Sequence, residues 1–426
     1  MLITRIKITN FYGIKDSIEV SFVEGGEKEK VGYINKGKER ISLISGFYGS
    51  NASGKSTILN AIDVIIRIML SKQQDYIINP NGIKEETIIA FPNFRSEMKD
   101  KPIILEIDFI FGKDNNKYNY LISIINDGKE ISEEVLYKNN KKIFSRNNHN
   151  VSFGEHIETK IGDVMAKDIV APKKSSFLSV LLDESSDISV FGNLKTQIGI
   201  SELNELKNKI CFITDKRSVQ LGQNNINGLL AFAINYLNDT KTQEEKLETV
   251  NSVVKYFEPS FESLVIKKGS DNNPVNKSFS FTYEAKYSNF YKNLSIMELS
   301  AGTRELVAYI SDILKIIKNG GIVVYDETSK YYHPDMEIAM LNLFKDKDIN
   351  QNNAQIFFSS HNHETFDLLQ NNQAHILENK DNNITISKVS NYDVRERDNI
   401  KKIYRLGSLG GVPDTIDFNR IINNLL

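Results

Sequence analysis

Residues 49–57 read Gly49-Ser-Asn-Ala-Ser-Gly-Lys-Ser-Thr57 and fit the pattern G-x-x-x-x-G-K-[ST]. The pattern follows a predicted strand at Ile41 to Phe47 and precedes a helical stripe of apolar residues over 55–70. A glycine-rich turn between a strand and a helix directs backbone N–H groups and the positive end of the helix dipole at a phosphate. These residues therefore predict a loop that binds the phosphates of a nucleotide.

The positions of this phosphate loop have different expected roles. Lys55 would neutralise the β- and γ-phosphate oxygens, and Ser56 would ligate Mg²⁺. We expect ATP to be held by the whole run, which comprises Gly49, Ser50, Asn51, Ala52, Ser53, Gly54, Lys55, Ser56 and Thr57.

A second apolar run, Ile322 to Tyr325, ends in Asp326 and Glu327. Such continuous runs are typical of strands buried on both faces of a parallel sheet, and ligands bind at the carboxyl ends of these strands. Asp326 would contact Mg²⁺ through water, and Glu327 would act as a general base. Apolar strands also often end in acidic residues that start a helix, so it is the phosphate loop that favours the catalytic interpretation.

The segment Leu299-Ser-Ala-Gly-Thr303 opens a long predicted helix, with Ser300 as its N-cap. It resembles the Leu-Ser-Gly-Gly signature of ABC-type ATPase heads, with Ala301 in place of one glycine. The resemblance implies that Ser300 and Gly302 contact ATP bound to a second subunit. It therefore implies a homodimer, or a higher oligomer, in which two heads enclose two ATP molecules.

In the same superfamily a histidine follows the next strand, and Phe357-Phe-Ser-Ser-His361 matches it. The resemblance implies that His361 senses the γ-phosphate. Four other histidines lack this support, and we expect them to be solvated or locally hydrogen-bonded: His149, His156, His363 and His375.

The insert between the phosphate loop and the signature is longer than in transporter subunits, and residues 176–260 lack the sustained heptads of a long coiled coil. The chain resembles bacterial AAA family ATPases of the abortive-infection and overcoming-lysogenization type, which share an ABC-like head. The matching segments are Ile8 to Phe11, Glu298 to Arg304, Asp326-Glu327 followed by His333-Pro334, and Tyr404 to Pro413. Phe11 is interpreted as a core residue rather than an adenine contact. The segment Thr328 to Tyr332 departs from the family, since it lacks the usual acidic residue and leucine.

Composition excludes several classes of protein. The 426 residues are 40% hydrophobic and carry a net charge of −2, which excludes a disordered chain and a globally basic nucleic-acid binder. The one cysteine, Cys211, excludes a disulfide within the chain. No stretch approaches the roughly 20 apolar residues of a membrane helix, and the N-terminus lacks a secretory signal. We therefore expect a cytoplasmic protein without a membrane partner.

Alternation over residues 102–137 predicts an antiparallel hairpin, and the helical patterns between 176 and 260 predict an insertion. The charged stretch from Gly25 to Arg40 predicts a solvated loop. The expected fold class is α/β, an ABC-type ATPase head with a mixed, largely parallel core sheet, an antiparallel β layer and a helical insertion. The expected domains are an N-terminal lobe with the phosphate loop over 1–170, the helical insertion over 171–260, and a C-terminal lobe with the signature, Asp326-Glu327 and His361 over 261–426.

The resemblance implies an enzyme that hydrolyses ATP to ADP and phosphate with Mg²⁺. It further implies a nucleotide-gated sensor or regulator in antiphage defence, working with a separate effector protein such as a nuclease or toxin. One alternative is a scaffold that sequesters a toxin or nuclease while it turns ATP over slowly. Another is a DNA-repair or chromosome-associated head, for which DNA would be a partner. Stimulation of hydrolysis by DNA, or a stable complex with the neighbouring gene product, distinguishes these interpretations.

Overall fold

The computed structural model describes residues 1–71, 76–78, 84–86, 88–161, 169–183, 191–213, 243–268, 281–328, 330, 333–381, 383–395 and 398–412. The strands in these ranges are β1 (Leu2–Thr9), β2 (Ile18–Ser21), β3 (Val23–Gly25), β4 (Tyr33–Lys36), β5 (Glu39–Ser42), β6 (Ile44–Tyr48), β7 (Tyr76–Ile78), β8 (Lys84–Glu86), β9 (Ile103–Phe111), β10 (Asn116–Ile125), β11 (Glu130–Lys138), β12 (Lys141–Asn147), β13 (Asn150–Phe153), β14 (Ile210–Ile213), β15 (Phe261–Lys268), β16 (Phe281–Tyr287), β17 (Leu294–Ser295), β18 (Ile322–Tyr325), β19 (Gln355–Ser359), β20 (Ala374–Lys380) and β21 (Asn383–Lys388). The helices are α1 (Lys55–Leu70), α2 (Glu155–Ile161), α3 (Phe177–Leu181), α4 (Phe191–Gln197), α5 (Gln243–Phe257), α6 (Ala301–Asn319), α7 (Pro334–Lys345) and α8 (Ile400–Arg405).

A six-stranded central sheet has the order β14-β18-β19-β6-β20-β21. Its strands are parallel except for β21, which runs antiparallel to β20. Every residue of β6, β18 and β19 is buried, as expected for strands covered on both faces. The predicted parallel core is confirmed, and β6 lies at its centre between β19 and β20.

Side chains of this sheet alternate between two hydrophobic cores. Val324 and Phe357 face one core, and Val323 and Phe358 face the other. The first core is closed by α1 and by a seven-stranded antiparallel sheet of order β13-β12-β11-β10-β9-β1-β2. Because α1 lies between the two sheets, it is apolar almost all round and buries nearly every residue.

The second core lies on the opposite face of the central sheet. Helix α6 packs there against β14, β18 and α5, and α7 covers the sheet beside it. Helix α6 begins after Ser300, whose side-chain oxygen accepts a hydrogen bond from the Thr303 N–H, and it ends at Gly320. The predicted N-cap at Ser300 is thereby confirmed. The α/β fold class, with its mixed core sheet and antiparallel layer, is confirmed as well.

The charged stretch from Gly25 to Arg40 is not simply a loop, contrary to the prediction. Strands β3, β5 and β4 form a small antiparallel sheet at this place. Its apolar side chains, including Ile41, pack on Leu2 and Ile110, while Arg40 forms a 2.7 Å ion pair with Glu24. The charged stretch is therefore folded into a short sheet that packs on the core through Ile41.

Two further expectations need correction. Within the predicted helical patterns between 176 and 260, residues Ser201–Asn208 form a 3₁₀ helix instead of an α-helix, and it buries only Leu203 and Leu206. His375 was expected to be solvated or locally bonded, but it is buried between aromatic rings because β20 is covered on both faces. Residues 184–190 and 214–242 of the expected helical insertion fall outside the described residues.

Cys211 is buried on β14. Within the ranges described above, no helix is both long and apolar enough to cross a membrane.

Candidate active site

The phosphate loop connects the central strand β6 to the N-terminus of α1. The Lys55 ammonium is buried and donates hydrogen bonds to the carbonyl oxygens of Gly49 at 2.9 Å and Ser50 at 3.0 Å. At Gly54 the backbone has φ 102°, and a Cβ there would lie 2.4 Å from Cδ1 of Ile384. The last glycine of the motif is therefore required both by backbone conformation and by the side chain packed against it.

Strand β20 and the glycine-rich tail support the loop. Asn379 Nδ2 donates to the Ala52 carbonyl at 3.1 Å, and a Cβ at Gly49 would approach the Leu377 carbonyl to 2.5 Å. The tail reaches the same place, since a Cβ at Gly411 would lie 3.4 Å from Cα of Gly49. The Tyr404 hydroxyl holds the tail by donating to the Gly411 carbonyl at 3.0 Å. Residues far apart in the sequence thus fix the shape of the loop.

Asp326 and Glu327 follow β18 and are oriented by a serine of the neighbouring strand. The Ser359 hydroxyl donates to Asp326 Oδ1 at 2.6 Å and accepts from the Glu327 N–H at 2.8 Å. The Glu327 backbone has φ 56°, a left-handed conformation that non-glycine residues adopt rarely and at a cost in energy. One hydroxyl and one strained residue therefore position both carboxylates, and the sequence analysis had assigned Ser359 no role.

The residue after Glu327 is anchored by a buried polar network. Thr328 Oγ1 donates to Glu337 Oε1, and Asn362 Nδ2 donates to Glu337 Oε2 at 2.9 Å. The Thr328 N–H also donates to the Ser359 carbonyl at 3.0 Å. Helix α7, which carries Glu337, is thereby tied to the two strands that end at the pocket. Of the divergent segment 328–332, Ser329, Tyr331 and Tyr332 lie outside the described residues.

These elements surround a pocket of about 700 Å³. The sequence-predicted residues that line it are Asn51, Ala52, Ser53, Gly54, Lys55, Ser56, Thr57, Glu327 and His361. The lining residues that the sequence analysis missed are Gly13, Asn93, Phe94, Arg95, Asn379 and Ile384. The structure therefore brings the loop, Glu327 and His361 together, but no local motif marks the missed residues.

Burial and neighbouring charges shift the pKa values of Lys55 and His361 in the pocket. Burial lowers the pKa of the Lys55 ammonium, and the carboxylates of Asp326 and Glu327 act in the opposite direction. Burial, and then the positive charge of Lys55, lower the pKa of the His361 imidazole. His361 is therefore mostly neutral at pH 7.

Ser300 and Gly302 do not line this pocket. They lie at the start of α6, on the side of the second core, where Thr303 Oγ1 donates to Glu258. Within one chain, the structure leaves the signature segment apart from the phosphate loop.

Two side chains have the chemistry to bind a metal ion. Ser56 and Asp326 offer hydroxyl and carboxylate oxygens, the ligand type that Mg²⁺ prefers. Among the described residues, no group of three or more His, Cys, Asp or Glu side chains is arranged to hold a metal. The donor set fits Mg²⁺, which usually binds proteins through one or two side chains together with phosphate oxygens and waters.

Comparison with known proteins gives similar folds and one family. The SmcHead bound to the C-winged helix domain of ScpA is 12% identical, with a TM-score of 0.43 over 91% of this chain and 97% of that chain. The SMC head domain from Thermotoga maritima is 10% identical, with a TM-score of 0.40 over 91% and 99%. The Smc head domain with a coiled coil and joint derived from Pyrococcus yayanosii is 11% identical, with a TM-score of 0.42 over 91% and 97%. No curated protein matches the sequence. The family model described as "AAA ATPase domain" (AAA_15) matches residues 1–365.

Proposed function

Since the chain belongs to the AAA ATPase domain family, we propose that it binds ATP with Mg²⁺ and hydrolyses it to ADP and phosphate in the pocket around Lys55. One observation carries this proposal. A phosphate loop, a carboxylate on a strained backbone and a largely neutral histidine line a single pocket of about 700 Å³. These groups are what phosphoryl transfer to water requires: a cradle for the phosphates, a base for the water and a contact for the γ-phosphate.

Lys55 would change partners when the nucleotide binds. Its ammonium now donates to two neutral carbonyl oxygens of its own loop. Anionic phosphate oxygens attract the ammonium more strongly than neutral carbonyl oxygens do, so the β- and γ-phosphates would compete well for it. The phosphates would also raise the pKa of Lys55, which burial lowers in the free protein.

Ser56 and Asp326 would hold the Mg²⁺ ion, Asp326 through water. When bound, the ion supplies positive charge that neutralises the phosphate oxygens. Ser359 keeps Asp326 in place through the 2.6 Å hydrogen bond.

Glu327 would accept the proton of the attacking water. Its peptide N–H is held by Ser359, which fixes the backbone from which the carboxylate projects into the pocket. General bases contribute about 10²- to 10⁴-fold to rate. His361 would sense the γ-phosphate, since a neutral imidazole can donate one hydrogen bond and gain a proton beside the phosphate.

Ser300 and Gly302 would complete the site of a second copy. Both lie outside the pocket of their own chain, and Ser300 is exposed at a helix N-terminus, where N–H groups attract anions. The proposed assembly is a head-to-tail homodimer, or a higher oligomer, enclosing two ATP molecules.

The cellular role rests on the resemblance of the motif segments to abortive-infection ATPases. We propose a cytoplasmic sensor or regulator in antiphage defence that controls a separate nuclease or toxin. In this proposal residues 1–170 and 261–426 form the two lobes of the ATPase head, and residues 171–260 form the insertion between them.

ATP hydrolysis by the purified protein tests this function, with and without double-stranded DNA and the neighbouring gene product. Lys55→Ala should abolish hydrolysis, and Glu327→Gln should lower it at least 100-fold while ATP binding and the ATP-dependent dimer persist. Lys117→Ala, which removes an exposed lysine of β10, serves as the matched control and should hydrolyse ATP at the parental rate. A Glu327→Gln protein with parental activity would remove Glu327 as the base. Wild-type protein that binds ATP and the partner tightly without turnover would favour the scaffold instead.

A further inference from the structure

Phe94 is an aromatic residue that lines the pocket and has no role in the proposed ATPase chemistry. It is 75% exposed and lines the same pocket as the phosphate loop. Phe11, which the sequence predicted to be a core residue rather than an adenine contact, is fully buried in the core. A large apolar ring is therefore presented at the pocket by the segment after α1, here named the rim segment and comprising residues 91–95.

Hydrogen bonds of two buried asparagines fix the rim segment. The Asn93 N–H donates to Asn10 Oδ1 at 3.0 Å, and Asn93 Nδ2 donates to the Tyr12 carbonyl at 2.8 Å. Asn93 Oδ1 in turn accepts from the Arg95 N–H at 3.1 Å. The backbone on both sides of Phe94 is thus held before any ligand arrives, which lowers the entropic cost of using the ring for binding.

Ring contacts fix the orientation of Phe94. Tyr12 meets Phe94 edge-to-face, with centroids 5.7 Å apart and planes at 81°. Tyr12 is itself braced by Phe11, with centroids 4.7 Å apart. This chain of rings connects the core to the rim and leaves most of Phe94 open to the pocket.

Arg95 joins the rim segment to the opposite wall of the pocket. Its Nη2 donates to the carbonyl of Asp381, in the turn between β20 and β21. Asn379, on β20, supports the phosphate loop through Ala52. The rim segment and the phosphate loop are therefore both connected to the β20–β21 hairpin.

We propose that Phe94 is the platform on which the base of the nucleoside triphosphate stacks, so that the site binds ATP and GTP with similar affinity. Stacking on an aromatic ring tolerates any base, because every base has a π face. Asn93 already uses its Oδ1 and Nδ2, and Asn379 its Nδ2, in hydrogen bonds with the protein's own backbone, which leaves fewer polar groups in the pocket to read the edge of the base. This inference rests on the proposed function, because the phosphate loop must hold the phosphates for the base to reach Phe94.

Calorimetric titration of the full chain with Mg-ATP, Mg-GTP and inorganic tripolyphosphate tests the proposal. Phe94→Ala should weaken binding of both nucleotides by about 5- to 150-fold, the range for losing one base–aromatic stack, and change tripolyphosphate binding less than about 2-fold. Phe94→Trp keeps an aromatic ring at this position and should bind both nucleotides about as tightly as the wild type does. Tyr256→Ala is the matched control, since it removes an aromatic ring that is 80% exposed on α5, and it should bind all three ligands as the wild type does.

The outcomes distinguish failure of this inference from failure of the proposed ATPase function. A Phe94→Ala protein with parental ATP affinity, or one that loses tripolyphosphate affinity as much as ATP affinity, overturns the stacking role alone. Wild-type protein that prefers ATP over GTP by more than about 30-fold overturns base tolerance, because it would require hydrogen bonds to the base edge. Wild-type protein that binds neither nucleotide nor tripolyphosphate overturns the proposed function together with this inference.

Discussion

His375 should make the stability of the fold depend on pH. It lies on β20 beside the strand that leads into the phosphate loop, and it is 1% exposed. Its ring stacks on Phe47, with centroids 5.0 Å apart and planes at 22°, and meets Phe22 edge-on at 5.8 Å. Burial in this aromatic surrounding lowers the pKa of His375 from 6.5 to about 3.

The sign and size of the effect follow from proton linkage. Between pH 6.5 and pH 3 the unfolded chain binds a proton at this histidine that the folded chain does not, so the free energy of unfolding falls as the pH falls. At pH 5 the unfolded histidine is almost fully protonated, while the folded one is almost fully neutral. The loss at pH 5 relative to pH 7.5 is then about 2 kcal/mol, from 1.36 kcal/mol per unit of pKa.

Urea unfolding at pH 7.5 and pH 5.0 measures this loss. His375→Phe removes the titrating group and keeps a ring of similar shape. From pH 7.5 to pH 5.0 its free energy of unfolding should therefore fall by about 2 kcal/mol less than that of the wild type. His156→Gln, a change at an exposed histidine of α2, is the matched control and should follow the wild type. Equal pH dependence of the wild type and His375→Phe would refute the reasoning.

Two further predictions concern the site. Ser359→Ala removes the hydroxyl that bridges Asp326 and Glu327, and should lower kcat about 10- to 150-fold with little change in KM, because a charge-assisted hydrogen bond is worth about 1.5–3 kcal/mol. Steady-state kinetics check this, and an effect on KM alone would contradict the positioning role. ATP binding near pH 7 should be accompanied by the uptake of part of a proton at His361. Burial and the charge of Lys55 lower the pKa of His361 in the free protein, and the negative charge of the phosphates would raise it. Calorimetry in buffers of different ionisation enthalpy measures the uptake, which should shrink in His361→Asn; equal uptake in both proteins would assign the proton elsewhere.

The sequence predicted those parts of the site that follow one another along the chain. The phosphate loop follows β6 and opens α1, and Asp326-Glu327 directly follows β18, so strand periodicity and motif together were sufficient. The N-cap at Ser300 was equally local. Local patterns of this kind depend on backbone conformation and burial within about ten residues.

The rest of the site depends on contacts between distant segments. Ser359 looked like an ordinary strand residue until parallel pairing placed its hydroxyl beside Asp326. Phe94 has no surrounding motif, and its position depends on Asn93 reaching Asn10 across 83 residues. His375 resembled a surface histidine because its burial depends on Phe22 and Phe47, which are distant from it in the sequence. Each of these errors arises where tertiary pairing, rather than local pattern, sets the environment.

The order of the central sheet has a consequence for the synthesis of the protein. Strand β6 pairs on both sides with strands made much later, and Ser42, just before it, bonds Gln355 across 313 residues. A nascent chain would therefore carry the phosphate loop without the sheet that shapes it until β18, β19 and β20 had been made. Contacts of such high sequence separation form slowly and leave apolar strands exposed in the meantime. Nucleotide could then stabilise the fold only after these strands had been made, and the unpaired β6 is where a chaperone would be needed.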